Sequence, residues 1–230
     1  MSGTSLSKGG MNELYAELEA ERERTWSAED LAGNRKQRRD LIDSAAQRHF
    51  VTAGDKVPDL EVIEVDAGPL SLKDLWRERP LLLVFFRFAG CPACNLALPY
   101  YAQNLYPEFA KAGIAILALS PQVPESLIDI KRRHTLPFGV ATDPSNRLAK
   151  HFDIAFEPDE AAKSATLAKG KGYIGEVTGT GDWFLPMPAV VLIDTAGVVR
   201  FAKVSPDWLE RAEAAEVLEA AASLAHERVA

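Results

Sequence analysis

An α/β fold is predicted for this 230-residue chain, with a central mixed β-sheet flanked by helices. Three observations predict it. The runs at 81–86 (Leu81-Leu82-Leu83-Val84-Phe85-Phe86), 114–119 and 189–193 are short and continuously apolar, as strands buried on both faces are. Between them lie stretches of helical length and period at 95–110, 121–133 and 146–152. Finally, the apolar run at 189–193, the Ala196-Gly197 turn and a second run at 198–204 make a hairpin signal. Strand, helix, strand, helix, hairpin and helix in that order call for a mixed sheet covered on both faces.

Taken in order, residues 1–50 read as a helical N-terminal extension and 51–230 as the main domain. The extension is charge-dense, and Met11, Leu14, Tyr15 and Leu18 fall at helical spacing as one apolar stripe. Ser27 followed by Asp30 resembles a helix start, with Leu31, Leu41 and Ile42 continuing a second helix. The run Arg35-Lys36-Gln37-Arg38-Arg39 is flanked by Glu29, Asp30, Asp40 and Asp43, so it reads as a solvated helix face rather than a basic binding patch. The apolar stripe packs either on the main domain or on a second copy, a homodimer. In the main domain, 60–65 reads as a strand, Ala67-Gly68-Pro69 as a turn and 71–77 as a short helix. Ser205-Pro206 is a helix-start signal, and Val217, Leu218, Ala221, Leu224 and Ala225 continue at helical spacing. The stretch 157–181 starts charged and ends glycine-rich, without the GxGxxG of a phosphate loop. It reads as a lid or as surface decoration.

The chemistry is concentrated in Cys91-Pro92-Ala93-Cys94, directly behind the first apolar run and holding the only two cysteines of the chain. A strand-to-helix junction activates a thiol, because unpaired backbone N–H groups and the helix dipole favour the thiolate. An ordinary thiol, with a pKa of ~8.5, is only about 3% ionised at neutral pH. Residues three apart on a helix keep their Cβ atoms roughly 5–6 Å apart, whereas a disulfide needs about 3.8 Å. The bond therefore closes only if Cys91 sits at the cap, a place that Pro92 favours as a first helical residue. Cys91 is then expected to be exposed and activated, with Cys94 one turn deeper. Inert core packing is the bland alternative. A metal site is disfavoured, since His49, His134, His151 and His226 are scattered and no second cysteine pair exists.

A net charge of −7 and a pI near 5.2 argue against nucleic acid or an anionic membrane as partner. No apolar stretch reaches the ~20 residues of a membrane span, and the start has no apolar signal core. A lone dithiol fits a reducing compartment, so a cytoplasmic location is expected.

The order of elements resembles the thioredoxin fold, with Cys91-Pro92-Ala93-Cys94 similar to its redox motif and Pro99 to the proline of its active-site helix. Gly54-Asp55-Lys56-Val57-Pro58-Asp59-Leu60 and Phe86-Arg87-Phe88-Ala89-Gly90-Cys91-Pro92-Ala93-Cys94-Asn95 resemble segments of the peroxiredoxin-like branch of the alkyl-hydroperoxide-reductase/thiol-specific-antioxidant family. The resemblance covers roughly residues 51–230. It implies a thioredoxin-like fold, Pro188 of Leu185-Pro186-Met187-Pro188-Ala189 as a cis-proline facing the dithiol, and Met187 beside it shaping a substrate groove. The sequence also departs from the family pattern. Cys94 falls on the attacking position, Cys91 replaces a threonine, Arg87 replaces a proline, and the family's distant arginine is expected to be absent. Arg87 partly replaces that charge or, as the more ordinary reading, meets solvent or a carboxylate.

Two activities follow from the resemblance, neither needing a cofactor. One is reduction of hydroperoxides by the Cys91/Cys94 pair, restored by a thioredoxin-type electron donor. The other is dithiol–disulfide exchange on a protein disulfide, with Cys91 attacking and Cys94 resolving. Family position favours Cys94 as the attacker, and cap chemistry favours Cys91. Trp183, Phe184 and Trp208 either line the site or pack.

Overall fold

A computed structural model describes residues 9–227 except 169 and 171. Residues 1–8 of the extension, Lys171 of the glycine-rich stretch and the side chain of Ala225 lie outside the described residues.

The chain opens with helices α1 (Met11–Thr25) and α2 (Ala28–Ala45). Ser27 caps α2 by accepting the Asp30 N–H, as its spacing predicts. Strands β1 (Glu61–Glu64) and β2 (Gly68–Ser71) form a hairpin, followed by α3 (Leu72–Glu78). Gly68 and Pro69, expected in a turn, are strand residues instead. The turn falls at 65–67, and an edge strand tolerates a proline without a donor. Strand β3 (Leu81–Phe85) leads into α4 (Pro92–Asn104), α5 (Tyr106–Ala112) and β4 (Ala115–Ser120). Then come α6 (Pro124–Arg133), β5 (Gly139–Thr142) and α7 (Arg147–His151). Strand β6 (Ala155–Phe156) precedes the stretch 157–181, which holds α8 (Glu160–Ala168) and α9 (Ile174–Thr178), and β7 (Leu185–Pro186) follows it. The hairpin of β8 (Ala189–Ile193) and β9 (Val199–Val204), then α10 (Ala214–Glu227), close the described chain.

The main sheet is seven-stranded, in the order β2-β1-β5-β4-β3-β8-β9. Its centre is parallel (β3 with β4, β4 with β5), and β8 joins β3 antiparallel, which makes the sheet mixed as predicted. Leu81 through Phe86 are at most 1% exposed, so β3 is covered on both faces. That burial accounts for its unbroken apolar run. The C-terminal edge of β3 therefore delivers the following loop to the middle of the fold.

No helix starts at Ser205-Pro206. Residues 205–213 are irregular, and α10 begins only at Ala214. Asp207 takes over the backbone here: its Oδ1 accepts the Leu209 N–H at 2.9 Å and its carbonyl accepts the Glu210 N–H at 2.9 Å. This segment also anchors the N-terminal helices. The Glu213 carboxylate accepts the N–H groups of Met11 and Asn12, both at 3.0 Å, and so caps α1 from a distant part of the chain. Arg38 of α2 forms a two-pronged ion pair with Asp207, at 2.7 and 2.6 Å. Arg38 is thus not the solvated arginine that the flanking acids suggested. Its partner lies 169 residues away, where no local pattern could show it.

Burial pushes the Glu213 carboxyl up, but Tyr100 Oη–H at 2.7 Å and the two α1 N–H groups more than offset this and hold it below the usual carboxylate range. A depressed folded value stabilises above the unfolded value, about 4.3, and the stabilisation is lost as pH falls through the folded one. Amide exchange of α1, corrected for the intrinsic rate, should therefore speed up below about pH 4.5. In Glu213→Gln it should be faster already at neutral pH and lose this pH dependence. Exchange of α1 equally slow at both pH values would overturn the cap.

Candidate active site

The loop leaving β3 is pinned from three sides. Ser120 Oγ donates to the Arg87 carbonyl at 2.9 Å, Gln122 Oε1 accepts the Ala89 N–H at 2.7 Å, and Asn95 Nδ2 donates to the Ala89 and Cys91 carbonyls at 2.8 and 2.9 Å. Gln122 is itself buried and reaches the Val177 carbonyl at 3.0 Å. Cys91 is the N-cap of α4 in extended geometry, with Pro92 at the first helical position, as the sequence requires. The Cys94 N–H donates to the Cys91 carbonyl at 3.1 Å, closing the first turn.

Both thiols are free, and neither is exposed: Cys91 is 3% and Cys94 0% accessible. The expected exposure of Cys91 is corrected. Helix α1 lays its Met11, Leu14 and Tyr15 stripe against the domain, and Tyr15 Oη–H donates to the Ala93 carbonyl at 3.3 Å, over the cysteine turn. The apolar stripe is thus satisfied within the chain.

Around Cys94 the structure gathers positive charge. Arg211 Nη2 lies 3.4 Å from Cys94 Sγ, and the guanidinium is 5% exposed. Its Nε–H donates to the Trp208 carbonyl at 3.3 Å, and its plane approaches the Tyr15 ring at 5.7 Å. Arg211 is the residue that sequence reasoning missed. Its segment looked like the first turn of a helix, and the family's distant arginine was expected to be absent. The only available signal was the turn-forming Ser205-Pro206-Asp207 between hairpin and helix.

Burial raises the pKa of Cys94. It is outweighed by a hydrogen bond from the Cys91 thiol, by the charge and the N–H of Arg211, and by the Arg87 backbone N–H, which together hold Cys94 well below an ordinary thiol. Cys91 moves the opposite way. The hydrogen bond to Cys94, burial and the Cys94 charge push it well above an ordinary thiol, against the opposing charges of Arg87 and Arg211. Both directions, and the Arg211 N–H at 3.4 Å from the Cys94 sulfur, favour Cys94 over the cap residue Cys91 as the ionised thiol.

Arg87 is half-buried, and among the described residues it pairs with no carboxylate. Its guanidinium lies over the Trp208 ring at 4.4 Å and near that of Phe88 at 5.9 Å. Trp208, 1% exposed, thus contacts both arginines, Arg87 through its ring and Arg211 through its carbonyl. Trp183 instead packs on Tyr173, and Phe184 meets Lys150. Arg22 of α1 is also 5% exposed, interacts electrostatically with Cys91, and lies over the Trp26 ring at 5.0 Å. Arg22 Nε, Arg87 Nε and Arg211 Nη1 are buried without a hydrogen-bond acceptor, while Arg22 Nη1 faces Glu19 Oε2 at 3.5 Å.

Pro188 and Met187 do not fit the groove expected of them. No cis peptide bond occurs among the described residues, so the bond before Pro188 is trans. The chain runs extended here from β7 into β8. The Met187 N–H donates to the Ile154 carbonyl and the Ser205 N–H to the Pro188 carbonyl, both at 2.8 Å. A trans bond keeps that direction, and a proline just before the strand forfeits no ladder hydrogen bond. Met187 is fully buried and offers no surface to a substrate. Pro188 lines a cavity of about 10 Å³ beside Arg211, and neither cysteine lines it.

A protein described as peroxiredoxin Bcp of Bacillus subtilis is 27% identical over 104 residues, 45% of this chain and 65% of that protein. Thiol-disulfide oxidoreductase ResA of Bacillus cereus is 26% identical over 112 residues, 47% of this chain and 62% of that protein. The chain thus spans less than two thirds of the length of these curated relatives. The crystal structure of peroxidoxin BcpB from Mycobacterium tuberculosis superposes with a TM-score of 0.56 at 20% identity, covering 77% of this chain and 98% of that one. That likeness shows the shared thioredoxin-type fold. Residues 53–202, which hold the cysteine turn, the loop that pins it and most of the β8–β9 hairpin, match the AhpC/TSA family model, and the chain belongs to that family.

Proposed function

We propose that this protein reduces hydroperoxides with Cys94 as the attacking thiolate and Cys91 as the resolving thiol, and that a thioredoxin-type protein restores the dithiol. One observation carries this reading: Arg211, the Arg87 N–H and the Cys91 thiol converge on the Cys94 sulfur. The thiolate attacks one peroxide oxygen, the O–O bond breaks, and the departing alkoxide takes a proton to leave as alcohol. Cys94 is then a sulfenic acid. The Cys91 sulfur attacks it, the new S–S bond forms, and hydroxide leaves with the Cys91 proton as water. Overall, dithiol and hydroperoxide give disulfide, alcohol and water. The arginines supply charge where the leaving oxygen becomes negative. The lone dithiol also favours a reducing cytoplasm as the site of action.

Exchange of disulfides without peroxide chemistry is the second reading, favoured by the CxxC spacing and the relative of that activity. It needs an accessible, ionised Cys91, whereas Cys91 is buried under α1 and the Arg211 guanidinium faces Cys94 instead. The covered stripe of α1 also removes the sequence argument for a homodimer.

The test is stopped-flow oxidation of the fully reduced protein by hydrogen peroxide and by an organic hydroperoxide. The expected rate constant exceeds that of free cysteine by at least about 100-fold at neutral pH. It should also stay nearly flat toward pH 8.5, because Cys94 is already ionised. A rate no better than free cysteine would sink the peroxidase reading.

A further inference from the structure

The dithiol is sealed. Helix α1 lies over the cysteine turn, α2 is tied to α1 through the Arg35–Glu19 ion pair, and the segment 205–213 holds both of those helices in place while also touching Cys94. Asp207 binds Arg38 of α2, Trp208 lies under Arg87, Arg211 meets Cys94, and Glu213 caps α1. From α1, Tyr15 donates to the carbonyl of Ala93, which is inside the cysteine turn itself. The hairpin is thus tied to the cysteine pair by two routes, one through the turn and one through Arg211.

We propose that the α1–α2 hairpin decides what reaches the dithiol: closed over the reduced pair it admits small oxidants and excludes protein disulfides, and formation of the Cys91–Cys94 disulfide releases it so that a protein reductant can enter. Both routes predict release. Closing the disulfide must draw Cβ atoms of residues three apart well inside their helical separation, so the first turn of α4 distorts where Tyr15 holds it. The same step removes the thiolate charge. Arg211 is then a buried cation without its anion, a state that a fold relieves by letting water in. Arg211 shares its segment with Asp207 and Glu213, so its movement loosens both clasps at once. The small size of a peroxide and the large size of a protein reductant make the closed and open forms serve different steps. The inference rests on the thiol-redox reading of the pair, though not on peroxide as the oxidant.

The experiment uses the full chain, oxidised with diamide, which takes two electrons and two protons from the dithiol whether or not peroxide reacts. Hydrogen exchange across 11–45 is compared in the reduced and disulfide forms. At least about tenfold faster exchange in α1 and α2 is expected on oxidation. Arg38→Ala, away from the reacting groups, is expected to raise alkylation of the reduced dithiol by a bulky maleimide-polymer by about tenfold. Its rate with hydrogen peroxide should stay within about twofold of wild type. Glu213→Gln, which unclasps α1 instead, should do the same and guards against a folding defect specific to one variant. Equal exchange in the two redox states, or alkylation unchanged in both variants, would overturn the proposal. Slow peroxide oxidation of the wild type with release still seen would overturn only the peroxidase reading.

Discussion

Cys94→Ser is expected to bring oxidation by hydroperoxides down to background, whereas Cys91→Ser should keep the first oxidation and stop at the sulfenic acid. The assignment follows from the placement of Arg211, whose Nη2 lies 3.4 Å from the Cys94 sulfur. Cys94 is held well below an ordinary thiol, since Arg211, the Arg87 N–H and the Cys91 thiol all stabilise its anion against the cost of burial. Cys91 carries the proton that this arrangement requires. Serine at 91 still donates a hydrogen bond, so the Cys94 thiolate should survive and the oxidation rate should fall by less than about tenfold, the worth of one altered hydrogen bond. With no second thiol, the sulfenic acid has no partner in the chain. It should accumulate as an adduct of one oxygen atom, or advance to sulfinic acid with excess peroxide. Mass spectrometry of the product and the stopped-flow rate constant together decide the matter. Fast oxidation lost only in Cys91→Ser would reverse the roles, and with them the electrostatic account of the site.

How much of this was legible in the sequence depended on whether a feature is made by neighbours along the chain. The run at 81–86, the cap at Cys91-Pro92, the Ser27 cap and the β8–β9 hairpin are local, and each stands where its pattern puts it. Strand β5, by contrast, was invisible: four residues (Gly139, Val140, Ala141, Thr142) are too few to show a period, and β4 and β1 on either side of it fix their conformation. The electrostatics of the site were equally hidden. Arg87 finds Trp208, Arg38 finds Asp207 and Cys94 finds Arg211, all across more than a hundred residues. The burial of Cys91 belongs to the same class. A helix cap is exposed unless something distant covers it, and here α1 does. Family pattern failed at Pro188 for a related reason: a motif transfers residue types, while the trans bond is set by the extended path that Met187 and Ser205 anchor.

Arg211→Ala is expected to slow oxidation by hydroperoxides by about 10²–10³-fold, the cost of losing a pre-placed donor at a reacting charge. Arg211 is 5% exposed, so its field acts on Cys94 with little water to screen it. Without it the largest remaining influence on Cys94 is burial, which raises the thiol and shifts the population toward the unreactive protonated form. Stability should suffer less than the loss of a buried ion pair would suggest, because the stranded thiolate can protonate instead of remaining charged. Arg211→Lys keeps a charge but not the planar fork that joins Cys94 to the Trp208 carbonyl, so a partial recovery is expected. The pH profile separates two roles of the guanidinium. If Arg211 only ionises Cys94, the alanine variant should regain the wild-type rate once pH exceeds its raised thiol pKa. If Nη1, which has no acceptor in the reduced protein, also receives the departing oxygen, the variant stays slow after Cys94 is fully ionised. The second outcome is expected, because an N–H group left buried without an acceptor is costly unless the reaction supplies one. Complete recovery at high pH would confine Arg211 to setting the pKa.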